Sequence, residues 1–328
     1  MNRKTFANLL ACGALSMATV CGVRAQSNPG TSGAAASNAV PRGNGGPGGF
    51  GRNFQFAPPG PPAPVPPEVL MPRPTQAEVD KMNADLKQFI ATSPDKELLQ
   101  KWESLVTVQV PRDNPCIRPA PGVRGPRHQA FVETATNSDF DILFDGDSIT
   151  DWWSLEQDRF GNAGGKKVFE KYFGDMKVAN FAVAGDTTQG VLWGLKNGEG
   201  QGHKPKAVML MIGTNSSGNS SGEEIAEGVG ADILELRKDF PDAKILLLAI
   251  FPRGTGPNDR ARRTNEEANK IIAKLDDQKH VFFMNINSKF LDEQGGLVGF
   301  RQDNLHPVEE GYELWAAAVA PTLKGWVK

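Results

Sequence analysis

Asp141-Ile142-Leu143-Phe144-Asp145-Gly146-Asp147-Ser148-Ile149 sets the pattern for the rest of the chain: an apolar run breaks at a glycine and leaves a hydroxyl just past the break. The pattern recurs downstream. Val178 to Val183 is followed by Ala184-Gly185-Asp186, and Ala207 to Ile212 by Gly213-Thr214-Asn215; Lys244 to Ile250 and Val281 to Ile286 are further apolar runs. Short apolar runs bounded by turn residues read as buried strands, the first spanning Asp141 to Phe144. Amphipathic stretches separate them, at Lys166 to Phe173, Thr188 to Leu195, Glu223 to Asp239 and Arg260 to Leu275, with a last one from Glu309 to Leu323. Continuous apolar strands alternating with helices predict a parallel sheet covered on both faces. The expected fold is α/β: a three-layer α/β/α sandwich of flavodoxin-like type around a five-stranded parallel sheet. In such sheets ligands gather at the carboxyl ends of the strands, where these glycine-bearing turns fall.

Upstream the composition changes. Arg3 and Lys4, an apolar run from Phe6 to Val20 and the small-residue end Val23-Arg24-Ala25 form the pattern of a secretory signal peptide, with cleavage expected after Ala25. Leu9-Leu10-Ala11-Cys12 loosely resembles a lipid-attachment box, but the apolar run before Cys12 is short for one. A secreted or periplasmic location is the expectation. From Gln26 to about Pro74 the chain is Gly, Pro, Ala, Ser and Asn, as in Pro58-Pro59-Gly60-Pro61-Pro62, with almost nothing to bury. Such a segment cannot recover its ordering entropy and reads as a disordered tether. Val79, Met82, Leu86 and Phe89 share a helical face, Ser93-Pro94 breaks it, and Leu98, Leu99 and Trp102 follow on a second helix. The expected layout is a signal peptide over 1–25, a linker over 26–74, a helical hairpin with a connecting segment over 75–137, and a main domain over 138–328.

Of three cysteines in 328 residues, Cys12 and Cys21 leave with the signal, so Cys116 has no partner for an intramolecular disulfide. It reads as an inert small residue in a loop rather than a reactive thiol. No later segment reaches the ~20 apolar residues of a membrane span, so no stable membrane insertion is expected. Lys and Arg number 36 against 38 Asp and Glu, interspersed, for a net charge of -2. That balance offers no electrostatic footprint for nucleic acid or an anionic membrane. The partner to expect is a small molecule or oligosaccharide in a pocket; oligomeric state leaves no trace in the sequence.

Near the C-terminus stands Asp303-Asn304-Leu305-His306-Pro307, just before the final helix. Together with the strand-end residues it holds the parts that ester hydrolysis needs: an activated hydroxyl, a base, a group that orients the base, and donors for a developing oxyanion. Ser148 supplies a hydroxyl and a backbone N–H, His306 a general base and then acid, and Asp303 a carboxylate to hold the imidazole tautomer. The Gly185 N–H and the Asn215 amide complete the donor set. Taken singly, each has a bland reading: Gly146 and Gly185 as turn glycines, Asn215 and Asp303 as caps. Their convergence on one sheet edge favours chemistry.

The Ser, Gly, Asn and Asp-x-x-His blocks, in this order, resemble those of the SGNH (GDSL-type) hydrolase family. Asn180 to Thr188, Val191 to Glu199, Lys204-Pro205-Lys206 and Pro252-Arg253-Gly254 are similar to the platelet-activating-factor acetylhydrolase catalytic-subunit branch, from about Phe140 to Lys328. The resemblance implies a serine esterase fold with the triad Ser148, Asp303 and His306, an oxyanion hole from Ser148, Gly185 and Asn215, and neither metal nor cofactor. The N-terminal third lies outside it.

Asp147, Trp152, Asp186, Trp193 and Arg253 stand close enough to these blocks to be substrate-pocket candidates. Gly218-Asn219-Ser220-Ser221-Gly222 mimics a nucleophile elbow, but Glu223 and Glu224 three positions after its serines mark a capping box instead. Asp277-Gln278-Lys279-His280 repeats the Asp-x-x-His spacing at the wrong edge of the sheet and reads as a surface loop. His128 and His203 read as ordinary loop residues. The expected activity is hydrolysis of short acyl esters, acetyl above all, on an O-acetylated carbohydrate. Phospholipid-type esters, a weakly catalytic carbohydrate-binding protein and acyl transfer remain open at this level.

Overall fold

The computed structural model describes residues 58–110, 112–157 and 161–328. The expected signal peptide and the first part of the expected tether lie outside these residues.

Five parallel strands form one sheet: β1 (Ile142–Gly146), β2 (Val178–Asn180), β3 (Ala207–Met211), β4 (Lys244–Leu248) and β5 (Val281–Met284), in the order β2-β1-β3-β4-β5. This is the flavodoxin-like order, with the topological switch between β1 and β3. Side chains alternate across it. Leu143, Val208, Leu210, Ile245 and Leu247 enter one core, while Ile142, Phe144, Met209, Met211, Leu246 and Leu248 enter the other. A strand whose residues are all buried has two covered faces, which is the three-layer sandwich read from the sequence.

Helices supply the covers. The apolar stripes of α4 (Gly125–Asn137), α7 (Thr188–Gly194), α8 (Gly222–Asp239) and α9 (Arg260–Ile272) close the first core. On the other face lie α6 (Lys166–Phe173) and α10 (Glu309–Val327), where Trp153, Phe173, Tyr312 and Trp315 form a buried aromatic group. The strand ends shift by a few residues from expectation. β2 stops at Asn180 because its side chain turns the chain: Oδ1 accepts the Ala182 N–H at 3.0 Å and Nδ2 donates to the Thr150 carbonyl at 2.9 Å.

Two expected boundaries need correction. The described residues of 58–72 and 112–328 make one compact unit, so the main domain begins well before residue 138. Its α4 was expected as connecting segment, because Gly125-Pro126 opens it and only Phe131 and Ala135 are buried. Residues 58–72, expected as tether, are part of this unit. The Gly60 and Ala63 N–H groups donate to Pro119 and Ile117 carbonyls at 2.8 Å, the Met71 N–H donates to Glu227 at 3.0 Å, and Val69 is 1% exposed. Proline-rich chain needs few backbone partners, so a handful of bonds and one apolar anchor hold it.

Residues 73–110 belong to a second unit with α1 (Gln76–Thr92), α2 (Lys96–Lys101) and α3 (Glu103–Val106). Thr75 and Glu78 form a capping box on α1, and the Asn83 amide bonds both ways with the Val108 backbone at 2.8 Å. No described helix is long and apolar enough to cross a membrane.

Candidate active site

The carboxyl end of β1 delivers Ser148. Gly146 lets it do so: a Cβ there would lie 2.3 Å from the Met211 carbonyl oxygen and 2.7 Å from Thr150 Oγ1, contacts no side-chain-bearing residue tolerates. The chain then enters a single turn, α5 (Ser148–Asp151), capped by Asp147, whose carboxylate accepts the Ile149 N–H at 3.0 Å. Asp147 was expected to line a pocket, but it is buried, and burial pushes its pKa up to about 7. It shapes the turn instead. The Tyr312 hydroxyl donates to the Ile149 carbonyl at 2.9 Å and fixes α5 from below.

Ser148 Oγ lies 2.9 Å from His306 Nε2, and His306 Nδ1 lies 2.7 Å from Asp303 Oδ2. Asp303 also accepts the backbone N–H groups of Leu305 and His306, at 2.9 and 3.0 Å, so the loop between carboxylate and imidazole is a closed turn. Burial raises the Asp303 pKa, but the His306 backbone and ring bonds outweigh it and hold this carboxylate below its ordinary value. Burial lowers the pKa of His306, and Asp303 only partly opposes this. The imidazole is therefore neutral at neutral pH, with Nδ1–H facing Asp303 and Nε2 free to accept the serine proton. Trp152 stacks on that ring at 4.1 Å between centroids, and the Arg301 guanidinium lies 4.5 Å from the same indole. Trp152, a pocket candidate, thus meets the expected base directly.

Gly185 and Asn215 stand beyond β2 and β3. Gly185 has φ +86°, a left-handed conformation that favours glycine, and a Cβ there would meet only Val123, at 3.8 Å, so backbone conformation rather than crowding selects glycine. Among the described residues, neither the Ser148 nor the Gly185 N–H has an acceptor. Asn215 Nδ2 donates one hydrogen to the Asp186 carbonyl at 2.8 Å, which orients the amide and leaves its second hydrogen unused. The sheet edge thus carries a hydroxyl, a neutral base held by a carboxylate, and three N–H donors.

The GDSL-like Lipase/Acylhydrolase family matches residues 144–314, from the end of β1 into α10. This chain belongs to that family. The acylhydrolase is 34% identical over 169 residues to the platelet-activating factor acetylhydrolase IB subunit beta homolog of Drosophila melanogaster, covering 49% of this chain and 70% of that protein. It is 33% identical over 172 residues to the human alpha2 subunit, covering 52% and 67%. A solved structure described as a platelet activating factor from Streptococcus pneumonia shares the fold, with a TM-score of 0.50 and 20% identity over 61% of this chain and 92% of that one. The acylhydrolase is accordingly an ester hydrolase of the GDSL type, as its four sequence blocks implied.

The residue that sequence reasoning missed is Arg124. It is fully buried, with Nη2 2.5 Å from Asp145, Nε 2.8 Å from Asp186, and Nη1 on Glu199, whose other oxygen meets His128 Nδ1 at 2.8 Å. Asp145 also takes the Gly146 N–H at 2.8 Å. One guanidinium therefore ties the strand bearing Ser148 to the loop bearing Gly185, and through the Asp186 carbonyl to Asn215. A legible signal existed: Asp145 stands inside an otherwise apolar strand, and a buried carboxylate requires a partner.

Asp186, a pocket candidate, is buried on Arg124 and its carbonyl accepts from Asn215, so it orients these loops. Trp193 packs on His128, with centroids 4.6 Å apart, rather than on the Ser148–His306 pair. His128 is helical and paired with Glu199, not an ordinary loop residue, and His203 Nε2 approaches Asp139 at 3.8 Å. Arg253 lies at the site, with Nη1 donating to the Thr214 carbonyl at 2.8 Å. Both decoys resolve as expected: Ser221 and Glu224 form the capping box of α8, and Asp277 accepts the backbone N–H groups of Lys279, His280 and Val281 in a turn ahead of β5. Cys116 is buried, its thiol 3.4 Å from Ser220 Oγ, and burial raises its pKa.

Proposed function

We propose that this acylhydrolase is a serine acetylesterase that works outside the cytoplasm, with Ser148 as nucleophile, His306 as general base and acid, and Asp303 as the residue that orients it. The observation that carries this reading is the continuous pair of contacts, Asp303 to His306 at 2.7 Å and His306 to Ser148 at 2.9 Å. His306 takes the hydroxyl proton as Oγ attacks the ester carbonyl. The oxyanion is met by the N–H groups of Ser148 and Gly185 and the unused hydrogen of the Asn215 amide. The alcohol leaves with the proton from His306, and water repeats the sequence to release the acid. Each oxyanion donor is worth about 3–4 kcal/mol of transition-state stabilisation.

An acetyl group is the acyl part in this proposal, supported by relatives whose names are acetylhydrolases. The alcohol part we assign to an O-acetylated carbohydrate. The secretory pattern at the N-terminus supports it. A second reading, an acetyl ester of phospholipid type, is favoured by the same relatives. Purified protein and its Ser148→Ala variant, assayed on acetylated xylan fragments, acetylated monosaccharides and acetyl-phospholipids, separate the two. Saccharide deacetylation lost by roughly 10⁴-fold or more in the variant is the expected result. Activity confined to the phospholipid overturns the carbohydrate assignment, and equal rates in both proteins overturn the nucleophile.

A further inference from the structure

Arg253 follows β4 in Pro252-Arg253-Gly254, and its backbone is clamped from two sides. The Arg253 carbonyl accepts from Arg262 Nε at 2.7 Å, and the Gly254 N–H donates to the Asn304 carbonyl, inside the Asp303–His306 turn, at 2.8 Å. Its side chain reaches Thr214: Nη1 donates to the carbonyl at 2.8 Å and to Oγ1 at 3.2 Å, next to Asn215. Arg253 therefore joins the two loops, its backbone neighbour Gly254 to the loop that carries the base and its guanidinium to the loop that carries an oxyanion donor.

What distinguishes this arginine is what it lacks. Arg124 spends its fork on three carboxylates and Arg262 spends its own on three carbonyls. Arg253 forms no ion pair with any described residue, and its Nε and Nη2 hydrogens have no acceptor among them, although the side chain is half-buried. A partly desolvated guanidinium with an open edge is built for bidentate contact with an oxyacid. Its charge reaches the site, where it acts on both His306 and Asp147.

We infer that Arg253 recognises a negatively charged oxyacid group, carboxylate or phosphate, on the alcohol part of the ester. This deepens the acetylesterase reading and rests on it: an acetyl group carries no charge, so the anion must lie on the leaving side. An acidic sugar or a glycerophosphate satisfies the chemistry.

The test is a matched pair of esters, 3-acetoxybenzoate and 3-acetoxybenzamide, which differ in charge and little in shape. Wild-type kcat/KM is expected to favour the benzoate by about tenfold or more, carried in KM and shrinking as salt rises. Arg253→Gln brings the ratio close to one, and Arg253→Lys keeps part of it. Equal kcat/KM for the two esters in the wild type overturns the inference. So does an Arg253→Gln variant that slows both by the same factor, since the residue then only braces Thr214. Two further arms, an O-acetylated glucuronide and an acetylated glycerophosphate, tell a sugar acid from a lipid-type headgroup. Calorimetric titration of Ser148→Ala with the benzoate and benzamide reads the preference without turnover. Failure of hydrolysis with both esters would thus count against the esterase reading, while equal binding would count against the arginine. Should Arg253→Gln not fold, the salt dependence in wild type and the lysine variant still decide.

Discussion

At the scale of single residues, the site works because environment sets each group's protonation. Burial lowers the His306 pKa, so kcat/KM rises with pH as the ring loses its proton, with a midpoint below the ordinary value of 6.5. Two substitutions move that limb in opposite directions. Asp303→Asn removes the interaction that raises the ring's pKa, so the midpoint falls further, while kcat drops by about 10³–10⁴-fold as the tautomer is lost. Trp152→Ala uncovers the ring, relieves its desolvation and raises the midpoint; Trp152→Phe keeps the stack and moves it less. pH–rate profiles of the three variants check both signs. Arg124 has the larger structural role. Replacing it with Met strands three buried carboxylates and is expected to cost about 3–5 kcal/mol in urea unfolding, with kcat falling because Asp186 no longer steadies Gly185 and Asn215. Ser148, Asp303 and His306 were legible as candidates from their own blocks, and the fold brings the three side chains into contact. Arg124 was not, because its meaning depends on partners 21, 62 and 75 positions away that only the fold assembles.

At the scale of elements, legibility follows the strength of the local pattern. β1, β3, β4 and β5 are continuous apolar runs, and α6, α8 and α9 lie within a few residues of their expected spans, because burial on one or both faces writes a period into the sequence. α4 carries two buried residues in thirteen and begins with Gly-Pro, so its period is faint. Residues 58–72 fail differently: their composition is that of a disordered segment, yet the unit offers a slot for one valine. Val69 joins the core that also holds Cys116 and Phe131. Val69→Ala is therefore expected to destabilise the main unit by about 1–3 kcal/mol, against almost nothing for Ala at exposed Leu70. Denaturant midpoints for the two variants, followed by fluorescence of the buried tryptophans, make the comparison. Equal midpoints would show that the segment lies on the fold without holding it.

At the scale of the whole molecule, a net charge of -2 conceals an uneven interior. Asp145, Asp186 and Glu199 share one buried guanidinium, Glu199 also meets His128, and Asp232 on α8 has no hydrogen-bond partner at either oxygen among the described residues. Burial, and then repulsion from Asp145 and Asp186, raises the Asp232 pKa well above its ordinary value, so this side chain stays protonated in the fold. Burial also lifts Asp145, against the pull of Arg124, and Asp147, each to about 7. The sign follows from linkage. Between the unfolded carboxyl value near 4 and the raised folded value, the folded state holds protons that the unfolded state has released. Stability is therefore greatest at the acid end of that window and declines as pH rises through it, by up to about 1.4 kcal/mol per pH unit for each such group. Asp232→Asn preserves the shape, cannot ionise and removes one source of repulsion on Asp145 and Asp186. Its unfolding free energy should fall less steeply than that of wild type between about pH 4 and pH 7, with the gap widening toward the alkaline end. Urea titrations across that range, paired with esterase rates at each pH, measure it. Parallel stability curves for the two proteins would mean that Asp232 ionises in the fold without penalty, and that a buried solvent or ion shields it.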